Sequence, residues 1–430
     1  MEQALTITPS AARLTSSLRD LGYDFVSALA DVIDNSISAE ATAVDVEINF
    51  HGRLSYVLIA DNGTGMTPSR LTEAFRFGSR HRYEAGDLGR FGLGMKTAAL
   101  SQGRRLMVAT RSAPRSQRLH VRVLDLDHIE RTDRWEILSP STSGLSQGIR
   151  LRLSGTTGTV VVWDELDRVL DYADPDGPWA RRHLAKLAEK SRRYLSMVFH
   201  RFIAGEVPGR PPVNIRVNGK ELDAWDPFAR AEEGTRVLPT LVLPVHHADQ
   251  RFDVRWQPYV LPPREQFSTP EAFELTGGIE RWNRHQGIYA YRENRLIQHG
   301  GWSGLRTPDE HTKLARVALD FDNGADEAFS VDVAKSRISL PAGLRDLLER
   351  PSTVLCQEAQ AIYRSSANTR SSSPAGNSRP KPMDGAHLVF ALRVAAMSVG
   401  EDEALDRIFK EVGRTSPEIA GDLGLLREVE

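Results

Sequence analysis

Asp31-Val32-Ile33-Asp34-Asn35-Ser36, Asp61-Asn62-Gly63-Thr64-Gly65-Met66 and Gly89-Arg90-Phe91-Gly92-Leu93-Gly94-Met95-Lys96 are the stretches on which the fold of this chain turns. The first lies in a helical pattern, Phe25 to Ile37, whose apolar surface comes from Leu29, Val32, Ile33 and Ile37. Asp31, Asn35 and Ser38 recur at i, i+4 and i+7 and share one face. That face is either a solvated stripe or the wall of a polar cavity. A shorter helix precedes it within residues 9–27, entered at Pro9-Ser10 with Leu14, Leu18 and Leu21 on one side. After it, Val44, Val46, Ile48 and Phe50 alternate with Asp45, Glu47 and Asn49, the period of a half-buried strand. A second strand, Tyr56 to Ala60, stops at Asp61. Helix, strand, turn, strand predicts a sheet covered on one side.

Each signature has a chemical reading beside a plainer one. A carboxylate at a strand end can accept the exocyclic amine of a purine, and Gly63 and Gly65 let a flat ring approach the main chain. An Asx turn in a hairpin uses the same residues. The run from Gly92 to Leu100 enters a helix, where free N–H groups and Lys96 suit phosphate oxygens. The Gly-Lys-Ser/Thr ending of a P-loop is missing, and no strand–turn–helix unit with a following acid marks a dinucleotide fingerprint. Residues 78–92, polar and flanked by glycines, read as a mobile lid behind a helix from Leu71 to Phe77. Strands follow at Arg105–Arg111, Leu119–Leu126 and Trp135–Leu138. A buried-strand pattern then runs through Thr159 to Trp163, and Thr159 is either a β-branched core residue or a phosphate contact.

The 430 residues predict two domains and a tail. A net charge of −2 gives no global attraction to nucleic acid, and Arg181-Arg182 and Arg192-Arg193 read as solvated helix faces. A single cysteine, Cys356, excludes a disulfide framework and a thiolate metal cluster. No apolar run approaches membrane-spanning length and no leader pattern opens the chain, so no membrane partner and a cytoplasmic location are expected. Asp174-Pro175-Asp176-Gly177-Pro178 reads as a boundary. A helix from Trp179 to Phe202 follows, then strands at Val213–Val217 (into the turn Asn218-Gly219), Thr240–Val245, Phe252–Tyr259 and Leu314–Phe321. A hairpin spans residues 286–297 with its turn at 292–294. Residues 365–383 are a polar low-complexity linker, and Ala386–Val399 and Glu403–Val412 form short amphipathic helices.

In this order the motifs resemble the GHKL superfamily of ATPases: DNA gyrase B, the ninety-kilodalton heat-shock chaperones, histidine kinases and MutL. Ala30–Ala39 and Phe91–Ala98 look most like microrchidia (MORC) ATPases and their prokaryotic relatives. The resemblance covers roughly residues 10–345. It implies an α+β chain: a Bergerat-type ATP-binding α/β sandwich (1–173), an α+β transducer-like domain of ribosomal S5-like type (174–350), a helix and flexible linker (351–385) and a small helical segment (386–430). It further implies ATP and magnesium as ligands. By similarity Asn35 holds the metal, and Asp61 the adenine amine beside Gly63, Gly65 and Met66. Gly89, Phe91, Gly92, Leu93, Gly94, Met95 and Lys96 surround the phosphates, and Thr159 closes the site. Lys335, in Val333-Ala334-Lys335-Ser336-Arg337, matches by position the transducer lysine that touches the terminal phosphate; a surface lysine is the plainer reading. Asp31 stands where the family usually has the glutamate that activates water. One methylene shorter, it implies slow hydrolysis. The resemblance also implies a homodimer formed on ATP binding, acting as a switch or clamp on DNA or a protein partner in a DNA-related or defence process. A nucleotide-gated interaction module without turnover is the alternative. A histidine kinase is disfavoured, because no histidine precedes Asp31.

Overall fold

The computed structural model describes residues 9–20, 23–78, 88, 94–112, 118–154, 157–248, 250–278, 282–332, 335, 338–371, 388–389, 392, 395–396, 401–416, 419–420 and 423. The chain forms two compact units. The first is Met1–Trp225 with Glu293–Arg295 and Asp332–Arg337; the second is Asp226–Arg292, Leu296–Val331 and Ile338–Glu430.

The first unit contains α1 (Ala11–Arg19), α2 (Phe25–Ser38), β1 (Ala43–Asn49), β2 (Tyr56–Asp61), α3 (Pro68–Ala74), α4 (Gly94–Leu100), β3 (Arg105–Arg111), β4 (His120–Asp125), α5 (Leu126–Thr132), α6 (Gln147–Arg152), β5 (Gly158–Asp164), α7 (Pro178–Val198), α8 (His200–Ile203), β6 (Asn214–Val217) and β7 (Lys220–Glu221). Its seven strands form one sheet in the order β4-β3-β5-β2-β1-β6-β7. All neighbours are antiparallel except β1 and β6. The alternation read in β1 is present: Val44, Val46 and Ile48 are buried and the residues between them half-buried.

α2 starts where the Asp24 carboxylate accepts the N–H groups of Val26 and Ser27, a side-chain N-cap. Every α2 residue except Asn35 and Ser38 is buried, because α2 lies in the main core with Val57, Ile59, Val161 and Trp163 of the sheet. The opposite sheet face is not bare, as the one-sided expectation had it. Leu58, Ala60, Val160 and Val162 pack there with Ile149 of α6 and Leu153 beyond it. β5 is buried on both faces for this reason, which explains its unbroken apolar run.

Several local expectations are corrected. α3 begins at Pro68, capped by Thr67, and ends at Ala74 rather than spanning Leu71–Phe77. Trp135–Leu138 forms no strand; only Leu138 bridges Val123. α5 and α6 lie in stretches with no helical expectation. The expected helix Trp179–Phe202 divides into α7 and α8 at Phe199. The first unit also continues past the Asp174–Pro178 turn to Trp225, because β6 pairs in parallel with β1 and Tyr194 of α7 meets Ser27 of α2, oxygen to oxygen, at 3.5 Å.

The second unit has β8 (Arg236–Val237), β9 (Leu241–His247), β10 (Gln250–Val260), α9 (Pro270–Thr276), β11 (Gly287–Arg292), β12 (Arg295–Gln298), β13 (Ala315–Phe321), α10 (Ala342–Ser371) and α11 (Asp402–Thr415). The sheet order is β12-β11-β13-β10-β8, with β9 on β10. β11 and β13 are parallel, and β10 is antiparallel to β13, β8 and β9. Glu293 and Asn294 turn the β11–β12 hairpin with φ of 49° and 67°, and Asn218-Gly219 turns β6 into β7 with 49° and 75°. Both pairs fit the primed turns that match strand twist. α10 runs seven residues into the stretch read as linker; the remainder of 365–383 lies outside the described residues. Among the described residues no helix is long and apolar enough to cross a membrane.

Candidate functional site

α2 carries the first signature. Asp31 is 2% exposed. Its Oδ2 accepts the Tyr23 hydroxyl at 2.7 Å, and a Cβ on Gly94 would stand 3.0 Å from that same oxygen. Burial, and then the Asp31 carboxylate beside it, push the Tyr23 hydroxyl far above its usual range, so it remains a donor. Asp31 Oδ1 is buried without a hydrogen bond, although Lys335 Nζ stands 3.2 Å away at ion-pair distance. One turn on, the Asn35 side chain is exposed, and Ser38 is half-buried. The shared face is therefore buried at one end and open at the other.

Asp61 closes β2. Its Oδ2 accepts the Ser36 hydroxyl of α2 at 3.0 Å, and its Oδ1 accepts the amides of Gly63 at 2.9 Å and Thr159 at 3.2 Å. Three of about four lone-pair directions are used, leaving room for one more donor. Burial raises the Asp61 pKa, and the three donors act against that rise. The protein's own backbone demands glycine here: a Cβ would fall 2.6 Å from the Ala39 carbonyl oxygen at Gly63 and 2.0 Å from that of Arg111 at Gly65, where φ is 65°. The Met66 amide donates to Thr110 Oγ1 at 2.9 Å. Thr159 sits opposite Asp61 in register, and its hydroxyl lies 3.2 Å from that of Thr110. Thr159 therefore stands at the Asp61 end of the sheet.

Of the third signature, Gly89, Phe91, Gly92 and Leu93 lie outside the described residues. Gly94 opens α4, and Met95 packs half-buried against the core. Lys96 Nζ donates to the Ala74 carbonyl at 2.8 Å and lies 5.5 Å from the centre of the Phe77 ring. Burial, opposed by Glu73, pushes its pKa down to about 8.

Glu293–Arg295 and Asp332–Arg337 complete this unit with a cluster of charges. Lys335 Nζ is 2.6 Å from Asp34 Oδ2, and Arg295 Nε is 3.3 Å from Asp34 Oδ1. Arg295 Nη1 also donates to the Lys335 carbonyl at 2.7 Å. Lys335 is 7% exposed, not the surface lysine of the plainer reading, and has a φ of 47°. That left-handed backbone costs a lysine about 1–2 kcal/mol. Sequence reasoning missed Tyr23, Asp34 and Arg295. Asp34 was hidden by the exposed Asn35 beside it, and no local periodicity signals the other two.

The residues from Tyr23 to past the strand-end aspartate thus fold as one sheet-and-helix unit around α2. Residues 23–156 match the family described as histidine kinase-, DNA gyrase B- and HSP90-like ATPase. Residues 23–156 are a GHKL-type ATPase domain. The domain is similar to Protein MICRORCHIDIA 5 of Arabidopsis thaliana, 37% identical over 94 residues, which cover 20% of this chain and 13% of that protein. ATPase MORC2B of Mus musculus is 30% identical over 89 residues, covering 20% of this chain and 9% of that protein. The chain matches only about a tenth of these relatives' length.

No group of three or more His, Cys, Asp or Glu side chains among the described residues forms a metal cage. Magnesium suits such a place, since it takes one or two protein oxygens and completes its shell with phosphate and water. The exposed Asn35 amide and the buried, incompletely bonded Asp31 Oδ1 lie one turn apart on α2.

Proposed function

We propose that this chain binds and slowly hydrolyses magnesium ATP, and that ATP gates the association of two copies. Asp61 accepts the adenine amine, with Gly63, Gly65, Met66 and Thr159 around the base. Asn35 holds magnesium, which when bound screens phosphate charge. Residues 89–96 surround the phosphates. Asp31 takes the proton of the attacking water, and Lys335 meets the terminal phosphate. One observation carries this assignment: α2 serves both ends of the site. Ser36 donates to Asp61, while Asp31, about 7.5 Å earlier along the helix rise, faces Gly94 and Lys335.

The second unit serves as the transducer, since the lysine segment and the β11–β12 turn emerge from its chain yet count with the ATPase unit. ATP drives association only if it binds the closed state more tightly than the open one. A DNA-related or defence process, with DNA or protein as the partner, rests on the likeness to MORC proteins alone.

Asp31 also favours a second reading, a nucleotide-gated interaction module without turnover, because Tyr23 and Lys335 already crowd its oxygens. Phosphate release with ATP and magnesium separates the two. Slow release that Asp31→Asn abolishes supports the ATPase; saturable ATP binding without release supports the module. A rise in rate with DNA that fades with added salt supports a nucleic-acid partner.

A further inference from the structure

Asp34 has no part in the chemistry above, yet it is fully buried and its two oxygens are divided between two cations. Oδ2 takes the Lys335 ammonium at 2.6 Å and Oδ1 the Arg295 guanidinium at 3.3 Å. Arg295 also holds the main chain of the same lysine, donating from Nη1 to the Lys335 carbonyl at 2.7 Å. The Lys335 amide in turn donates to the Asp332 carbonyl at 3.0 Å. Lys335 is thus fixed at both ends, its ammonium by Asp34 and its backbone by Arg295.

We infer that Asp34 and Arg295 are positioning residues that set Lys335 for the terminal phosphate of the nucleotide. Resting on the assignment of Lys335 proposed above, the inference adds what makes that lysine effective. A lysine ammonium ends a flexible four-carbon stem and loses rotamer freedom when fixed. Two partners already within the protein meet that cost before nucleotide arrives. An ångström of misplacement at a reacting group costs about 100-fold in rate. The Arg295 fork is what allows one side chain to serve both Asp34 and the Lys335 carbonyl; a lysine in its place supplies the charge without the second fixed donor. A purely structural ion cluster predicts lost stability with no preference among nucleotides. A positioning role predicts a loss confined to ligands that carry the third phosphate.

The test compares affinities of the full chain for magnesium ADP and for the magnesium β,γ-imido analogue of ATP, by calorimetric titration. Wild type, Arg295→Lys, Lys335→Ala and the double variant are measured. The analogue-to-ADP affinity ratio falls about tenfold in Arg295→Lys, the size of one lost charge-assisted contact, while ADP affinity stays within about twofold. Added to Lys335→Ala, Arg295→Lys lowers the ratio no further, because it acts through that lysine. An Arg295→Lys ratio equal to wild type, with Lys335→Ala lowered, overturns the positioning role and leaves the lysine assignment standing. A Lys335→Ala ratio equal to wild type overturns both. Should Arg295→Lys lose ADP binding altogether, Asp34→Asn carries the same comparison; loss of ADP binding in both variants overturns the inference in favour of a structural cluster.

Discussion

Lys335 Nζ lies 3.2 Å from Asp31 Oδ1, the buried carboxylate oxygen that has no hydrogen bond. An ammonium at that distance competes with water for this oxygen. The arrangement suits a state awaiting a terminal phosphate, which can draw the ammonium off Oδ1 while Asp34 still holds it, leaving Oδ1 to water. If Asp31 is the base as proposed, nucleotide arrival frees it and turnover becomes conditional on the lysine.

Asp31→Asn removes the proton acceptor while keeping the shape. Phosphate release at saturating ATP falls about 10²–10⁴-fold, the usual span for a lost general base, with ATP affinity retained. Release assays beside a binding titration check both halves, and unchanged turnover takes Asp31 out of the base role.

Asp34→Ala leaves Lys335 and Arg295 buried without their shared carboxylate. Breaking a buried pair from one side costs about 3–5 kcal/mol, and urea unfolding of the ATPase unit reads that loss. Arg193→Ala at the exposed Glu189 pair on α7 is the control and changes stability by less than about 1 kcal/mol.

Asp61 has a pKa raised by burial, so it retains its proton to higher pH in the folded chain than in the unfolded one, where the ordinary value is about 3.9. Between those two values the folded state binds the extra proton, and this group's contribution to stability falls as pH rises. Adenine recognition needs the ionised form and weakens as pH is lowered through the raised value. Asp61→Asn weakens ATP binding about 10–150-fold at neutral pH, the worth of a hydrogen bond to a charged group, and removes its share of the acid-side dependence. Nucleotide titrations across pH 4–8 test this.

Lys96 runs the opposite way. With its folded pKa pushed down to about 8, the unfolded chain holds the extra proton between there and about 10.4, so stability rises with pH across that window. Thermal melts of wild type and Lys96→Met between pH 7 and 10 check it: the variant loses the rise. A wild-type curve parallel to the variant's contradicts a buried, deprotonating lysine.

The architecture of the first unit was legible where a local pattern decides it. α2 and β1 follow from periodicity, β5 from its apolar run, and the two hairpin turns from residues that tolerate positive φ. What escaped depends on contacts remote in the chain. The proximity of Thr159 to Asp61 comes from strand register, and the extension of the first unit to Trp225 comes from β6 adding in parallel to β1. The buried state of Lys335 comes from two carboxylates on α2 that sequence cannot pair with it. Asp31 and Asp61 could be named from their motifs; the groups that hold them, Tyr23 and Ser36, could not.

Calorimetric titration with magnesium ATP tests most directly that one nucleotide lies along α2 between Asp61 and Asp31. One saturable site, weakened in Asp61→Asn and in Asn35→Ala, with magnesium GTP failing to compete, is the predicted result. Equal binding of ATP by wild type and both variants, or no binding by wild type, contradicts it.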